Sequence, residues 1–148
     1  MRYSSIPDAI SSEVISFVKE LEDISAKFYE DISQRYGKDE DVFLAFVKEN
    51  KKYAEQIQRA YYSVITDAIE AGYAFDLEAD EYTLDTELPE NASLADIANK
   101  ALAIEEKIIA CYEDGAEQSM SLLADIPRNF MIVVRKRIKR IPKLKSFA

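Results

Sequence analysis

The sequence predicts an all-α four-helix bundle. Three observations carry that prediction: a composition short of turn formers, apolar residues that recur every three or four positions, and a long link with no helical period. Three Gly and four Pro in 148 residues, beside stretches rich in Ala, Ile, Leu, Glu and Lys, leave too few turn formers for a many-stranded sheet. A hydrophobic share of 48% lets one domain spanning 1–148 bury a core without disulfide or metal staples.

The first helix is expected to begin after Pro7-Asp8 or Ser11-Ser12 and to run to about Tyr36. Val14, Phe17, Val18, Leu21, Ile24, Phe28 and Ile32 recur along it at helical steps. Gly37 is placed to end it, and Asp39 or Asp41 to cap the next. The second helix, carrying Val42, Phe43, Phe46, Tyr53, Ile57, Ala60, Tyr61, Val64 and Ala68, is expected to reach about Ala71 before Gly72 stops it.

Residues 73–91 then lose the helical period and include Pro89. A link of that length between long helices is expected where the chain must travel along the bundle, as a crossover between helices 2 and 3. Ser93 with Asp96 forms a capping-box pattern for the third helix, striped by Ile97, Ala98, Ala101, Leu102, Ile108, Ile109, Tyr112 and Ala116. A short fourth helix is expected over about Pro127 to Ile141, burying Phe130, Met131, Val134, Ile138 and Ile141. Pro142 should terminate it and leave a frayed tail.

Much familiar chemistry is excluded. One cysteine, Cys111, and no His anywhere rule out a disulfide framework, Cys/His zinc sites, His-dependent triads and His-ligated haem. Cys111 is expected to be a small buried filler. The N-terminal residues contain no apolar run resembling a signal peptide, and no apolar segment is long enough to span a bilayer, so a cytoplasmic protein with no transmembrane segment is expected. The net charge of −9 conceals an asymmetry: residues 126–148 hold eight of the nineteen basic residues and no acid, leaving 11 − 28 = −17 on the remainder. An acidic body makes nucleic acid an unexpected partner. The basic segment from Arg135 to Lys145 suits an acidic partner or an anionic surface.

The most informative feature is an internal repeat. Glu22 stands seven residues before Tyr29-Glu30-Asp31, and Glu105 seven residues before Tyr112-Glu113-Asp114. Seven residues is about two helical turns, so each Glu shares a face with its Tyr. Glu105 is ringed by Ala98, Ala101, Leu102, Ile108 and Ile109 on the helical net, and Glu49 lies between Phe46 and Tyr53. Carboxylates on apolar faces need a cation, a metal or several donors as partners.

In this layout the chain resembles the ferritin-like superfamily, and rubrerythrin-type domains in particular. Those are two helical hairpins, each with Glu-x6-Tyr on its first helix and Glu-x-x-His on its second, joined by a long crossover. The resemblance implies that Glu22, Glu49 and Glu105 occupy di-iron ligand positions, with Tyr29 and Tyr112 supporting the site. It also points to the departures. Lys52 stands where the first hairpin should supply His, while Lys136 and Lys139, or with a one-residue slip Arg137 and Arg140, stand where the second should supply Glu and His.

These basic residues suggest that Lys52, Arg137 or Arg140 has replaced the metal as the carboxylates' partner. No catalytic residue is assigned. The expected function is a non-catalytic structural or interaction module, a homodimer without cofactor. The alternative is a carboxylate-only oxidoreductase or iron-handling protein that binds iron or another divalent metal, with peroxidase or ferroxidase activity.

Overall fold

The computed structural model describes residues 6–9, 11–35, 40–65, 75–77, 79–119 and 125–148. Helices α1 (Ser11–Arg35) and α2 (Glu40–Ile65) form one hairpin, and α3 (Leu94–Ser119) with α4 (Asp125–Ile138) and the short α5 (Arg140–Lys145) forms the other. The crossover between α2 and α3 is long, so the molecule is an all-α four-helix bundle of the expected topology. Gly37, Asp39 and the stretch from Ala68 to Gly72 lie outside the described residues, as do the side chains of Val14, Tyr61 and Val64. Asp41 falls inside α2, which already begins at Glu40.

The crossover is more regular than its sequence suggests. Its strand β2 (Phe75–Leu77) pairs antiparallel with β1 (Ile6–Ala9), in the register Ile6 to Leu77 and Ala9 to Phe75. Pro7 lies between these two pairs, where the register shifts by one residue, a kind of place that accommodates a residue without an N–H. A 3-10 turn over Ala79–Tyr82 follows. Tyr82 is buried, lies 6.3 Å from the Phe17 ring, and donates its hydroxyl to Asp114 on α3. The link is thus pinned across both hairpins. The capping box forms as the sequence indicates: Ser93 N–H donates to Asp96 Oδ2 and Asp96 N–H to Ser93 Oγ, both at 3.0 Å.

The C-terminal end differs from expectation. Pro142 does not end the helical run; it sits in the first turn of α5. Pro142 cannot donate to the Ile138 carbonyl, so the helical ladder is interrupted at Lys139, which itself keeps helical φ −66° and ψ −18°. The residues after it are not frayed: Leu144 is fully buried, and the Phe147 ring lies 5.9 Å from that of Phe43. Ile138, expected inside, is 48% exposed, and Val133 takes the buried place. The inner face of α4 therefore runs Phe130, Val133, Val134, Arg137, with a guanidinium continuing an apolar stripe.

Close approach of the second hairpin's helices depends on Gly115. A Cβ there would lie 2.5 Å from Phe130 Cε2, and Phe130 is itself locked edge-on against Tyr112 at 5.3 Å. Gly115→Ala gains about 1 kcal/mol of helix propensity but should lose on the order of 1–3 kcal/mol to overpacking, so thermal melts should show a lower Tm. In a Phe130→Leu background, the same change should be neutral or stabilising.

Candidate functional site

On α1 the buried residues step through Ile15, Val18, Glu22, Ser25, Tyr29 and Ile32; on α3 they step through Ala98, Ala101, Glu105, Ile108 and Tyr112. In both, a Glu occupies the middle of a three-and-four alternation, so helix geometry alone drives it into the core. Glu22 is 1% exposed and Glu105 is fully buried.

The two repeats interlock. Tyr29 donates its hydroxyl to Glu105 Oε2 at 2.7 Å, and Tyr112 donates to Glu22 Oε2 at 2.6 Å. Each Tyr therefore serves the carboxylate of the other hairpin. Burial, then the neighbouring carboxylate, raises both phenols well above their ordinary value, which keeps them protonated and donating.

Arg137 fills the space between the carboxylates. Its Nη1 donates to Glu105 Oε1 at 2.7 Å and its Nη2 to Glu22 Oε1, with Ser25 Oγ at 3.4 Å from Nη2. All four oxygens of Glu22 and Glu105 accept at least one hydrogen bond. Arg140, also buried, donates from Nη1 to Glu105 Oε2 at 3.2 Å and from Nη2 to the Phe46 carbonyl at 3.0 Å and Glu49 Oε1 at 3.3 Å. Its guanidinium lies 4.6 Å from the Phe46 ring centroid, 5.2 Å from Tyr53 and 5.6 Å from Tyr29, an aromatic box that suits a weakly hydrated planar cation. Two carboxylates and two guanidiniums balance to zero inside the bundle.

The electrostatics are uneven between the acids. Burial pushes Glu22 up, and Arg137 with the Tyr112 hydroxyl only partly pulls it back, so its carboxyl stays above the ordinary value. Burial also works on Glu105, but Arg137, Arg140 and the Tyr29 hydroxyl outweigh it and hold the group below that value. Burial opposes the charge of Arg137, but Glu105 and Glu22 overcome it and fix the guanidinium as a cation.

Of the two registers open to the second hairpin, the inward one carries Arg137 and Arg140; Lys136 and Lys139 are exposed. Glu49 is not in the core. Its side chain is 47% exposed and reaches inward only to Arg140. Lys52 is exposed and forms no ion pair among the described residues. The reason is visible in α2, whose buried face runs Phe43, Phe46, Asn50, Tyr53, Ile57 and Ala60: Asn50, not Glu49, holds the central position. Asn50 Nδ2 donates to Ser25 Oγ at 2.5 Å, and Ser25 donates to the Glu22 carbonyl at 3.1 Å. Neither Ser25 nor Asn50 is a candidate from sequence, although the apolar step pattern around each marks it as internal. Cys111 is buried and its thiol is pushed up to about 12 by burial, then by Asp114 and Glu22, as suits an unreactive filler.

Set against models of known families, curated proteins and solved structures, the chain matches none. The site must speak for itself. Among the described residues no group of three or more His, Cys, Asp or Glu side chains is arranged to hold a metal ion, and no helix is long and apolar enough to cross a membrane.

At pH 7, Glu105→Gln should cost on the order of 3–5 kcal/mol, the range for breaking a buried pair, and Glu22→Gln less, because Glu105 meets two guanidiniums and Glu22 one. The acid limb should separate them further. A depressed carboxyl such as Glu105 contributes stability that is present above its unfolded value, near 4.5, and lost as pH falls through the folded value. Glu22, raised, contributes in the opposite sense, with stability lost as pH rises through its folded value. Urea unfolding between pH 3 and 7 should therefore show a flatter acid decline in Glu105→Gln than in the parent protein.

Proposed function

We propose that this chain is a ferritin-like bundle of the rubrerythrin type whose di-metal centre has been replaced by guanidinium groups, leaving a non-catalytic structural or interaction module. What supports the reading is one observation: Arg137 bridges Glu22 and Glu105, the two carboxylates that the rubrerythrin resemblance assigns to ligand positions. A divalent cation needs free carboxylate oxygens and a surplus of negative charge. Here every oxygen of those two groups is already accepting, and the charge is balanced by Arg137 and Arg140. The donor set therefore does not fit a di-metal centre, and Glu49 at the rim does not complete one.

Arg137 and Arg140 stand three residues apart, the spacing of Glu and His in the motif this helix resembles. An Arg pair at that spacing can reach the same volume from the same helix face, which is how a cationic side chain takes over the charge balance that a metal would provide.

The reading predicts that protein purified without chelator carries no stoichiometric iron, manganese or zinc by elemental analysis, and that Fe(II) under anaerobic conditions leaves Tm unchanged. An iron-dependent rise in Tm, or turnover of Fe(II) with dioxygen, would sink it. In the double variant Arg137→Glu/Arg140→His, checked by circular dichroism for retained helix, the restored motif should confer an Fe(II)-dependent rise in Tm.

A further inference from the structure

A pocket of about 340 Å3 opens beside the core cluster, between α2 and the α4–α5 junction. Its rim carries Lys52 from α2 and Lys136, Lys139 and Lys143 from the opposite wall. All four lysines are exposed, and none forms an ion pair among the described residues. Lys136 to Lys139 and Lys139 to Lys143 are three and four residues apart, spacings at which like charges on a helical surface repel. Nothing in the fold requires that repulsion. Glu49 is the one acid on the lining, and Arg140 already engages it.

The wall of the pocket supplies an independent sign of a missing partner. Tyr53 is 2% exposed, and its hydroxyl has no hydrogen-bond partner; the same holds for Nε of Arg140, which is equally buried. Buried polar groups are nearly always paired; Asn50 Oδ1 and Arg137 Nε share this condition away from the pocket, but Tyr53 and Arg140 are residues of its lining, so their unpaired donors lie just beneath the basic surface. Arg140 touches both the pocket and Glu105, so whatever binds there is in contact with the buried cluster.

We propose that this pocket is a binding site for a phosphate-bearing ligand, with Lys52, Lys136, Lys139 and Lys143 as charge partners of the phosphate oxygens and Arg140 and Tyr53 at its base. Lysine ammoniums act as point charges around phosphate without demanding one geometry. The volume falls in the range of about 300–1,000 Å3 typical of small-molecule pockets, larger than one inorganic ion requires, which favours a phosphate ester or a pyrophosphate group. The acidic remainder of the chain repels such ligands elsewhere and directs them to this end. The site shares Arg140 with the core carboxylates, but the proposal does not rest on what those carboxylates once bound.

The test uses inorganic pyrophosphate as the probe, in isothermal titration at low salt. The parent protein should bind it with a rise in Tm. Lys136→Ala/Lys139→Ala/Lys143→Ala should weaken binding at least about tenfold, or 1.4 kcal/mol, while the equally discharged control Lys19→Ala/Lys48→Ala/Arg59→Ala should stay within about twofold of the parent. Tyr53→Phe should fold and bind more weakly. The proposal is overturned if the parent does not bind pyrophosphate, if the control loses affinity as the pocket variant does, or if Tyr53→Phe binds as the parent does. Sedimentation with phosphatidylglycerol vesicles separates the sources: lysine-dependent sedimentation that pyrophosphate displaces assigns the site to a lipid headgroup, and no sedimentation assigns it to a soluble phosphate compound.

Discussion

Two carboxylates facing each other inside a helical bundle must be neutralised before the bundle can close. Withdrawing each from water costs several kcal/mol, and two like charges add repulsion that the low-dielectric interior hardly screens. Arg137 meets both at once, and its planar fork offers the parallel donors that carboxylate geometry accepts. Because Glu22 belongs to the first hairpin and Glu105 and Arg137 to the second, this ionic bridge also sets how the hairpins dock. Reciprocal donation from Tyr29 and Tyr112 fixes the same register from the opposite side.

The secondary supports follow from that docking. Arg140 reaches Glu105 because it follows Arg137 by three residues and Lys139 between them keeps helical φ and ψ, and Leu144, buried beyond it, holds α5 against the bundle. Phe46, Tyr29 and Tyr53 pack around the Arg140 guanidinium without adding charge. In this network every oxygen of Glu22 and Glu105 is paired while Nε of Arg137 and of Arg140 is not; an apolar replacement of matching shape is often as stable as such an ionic group, whereas loss of one member is costly.

Much of this was legible in the residues. The Glu-x6-Tyr repeat puts each acid on one helix face with a Tyr, and Glu105 is marked as internal by apolar neighbours at every three- and four-residue step; Glu22, flanked by Lys19 and Ser25 as well as Val18 and Ala26, is not so marked. The long aperiodic link before Ser93 implies the crossover. What the pattern could not convey was the pairing across hairpins, since Tyr29 shares a helix face with Glu22 yet donates to Glu105. The register of α4 was equally hidden. An apolar stripe drawn through Ile138 leaves Arg137 outside, and only the space between two acids makes an arginine preferable to an isoleucine at an inner position. Glu49 was misleading for a related reason: it and Asn50 both fit the helical steps from Phe46 to Tyr53, and the choice is made by Ser25 on the neighbouring helix. The short β1–β2 ribbon escaped because a three-residue strand carries no period to detect.

A metal-bearing core and an arginine-bearing core predict different density in the same place. Crystals grown with excess Fe(II) under anaerobic conditions and measured at energies across the iron absorption edge distinguish them directly. The account predicts a guanidinium of Arg137 between Glu22 and Glu105 and no anomalous peak within bonding distance of either carboxylate; an iron peak there, with Arg137 swung away, would contradict it.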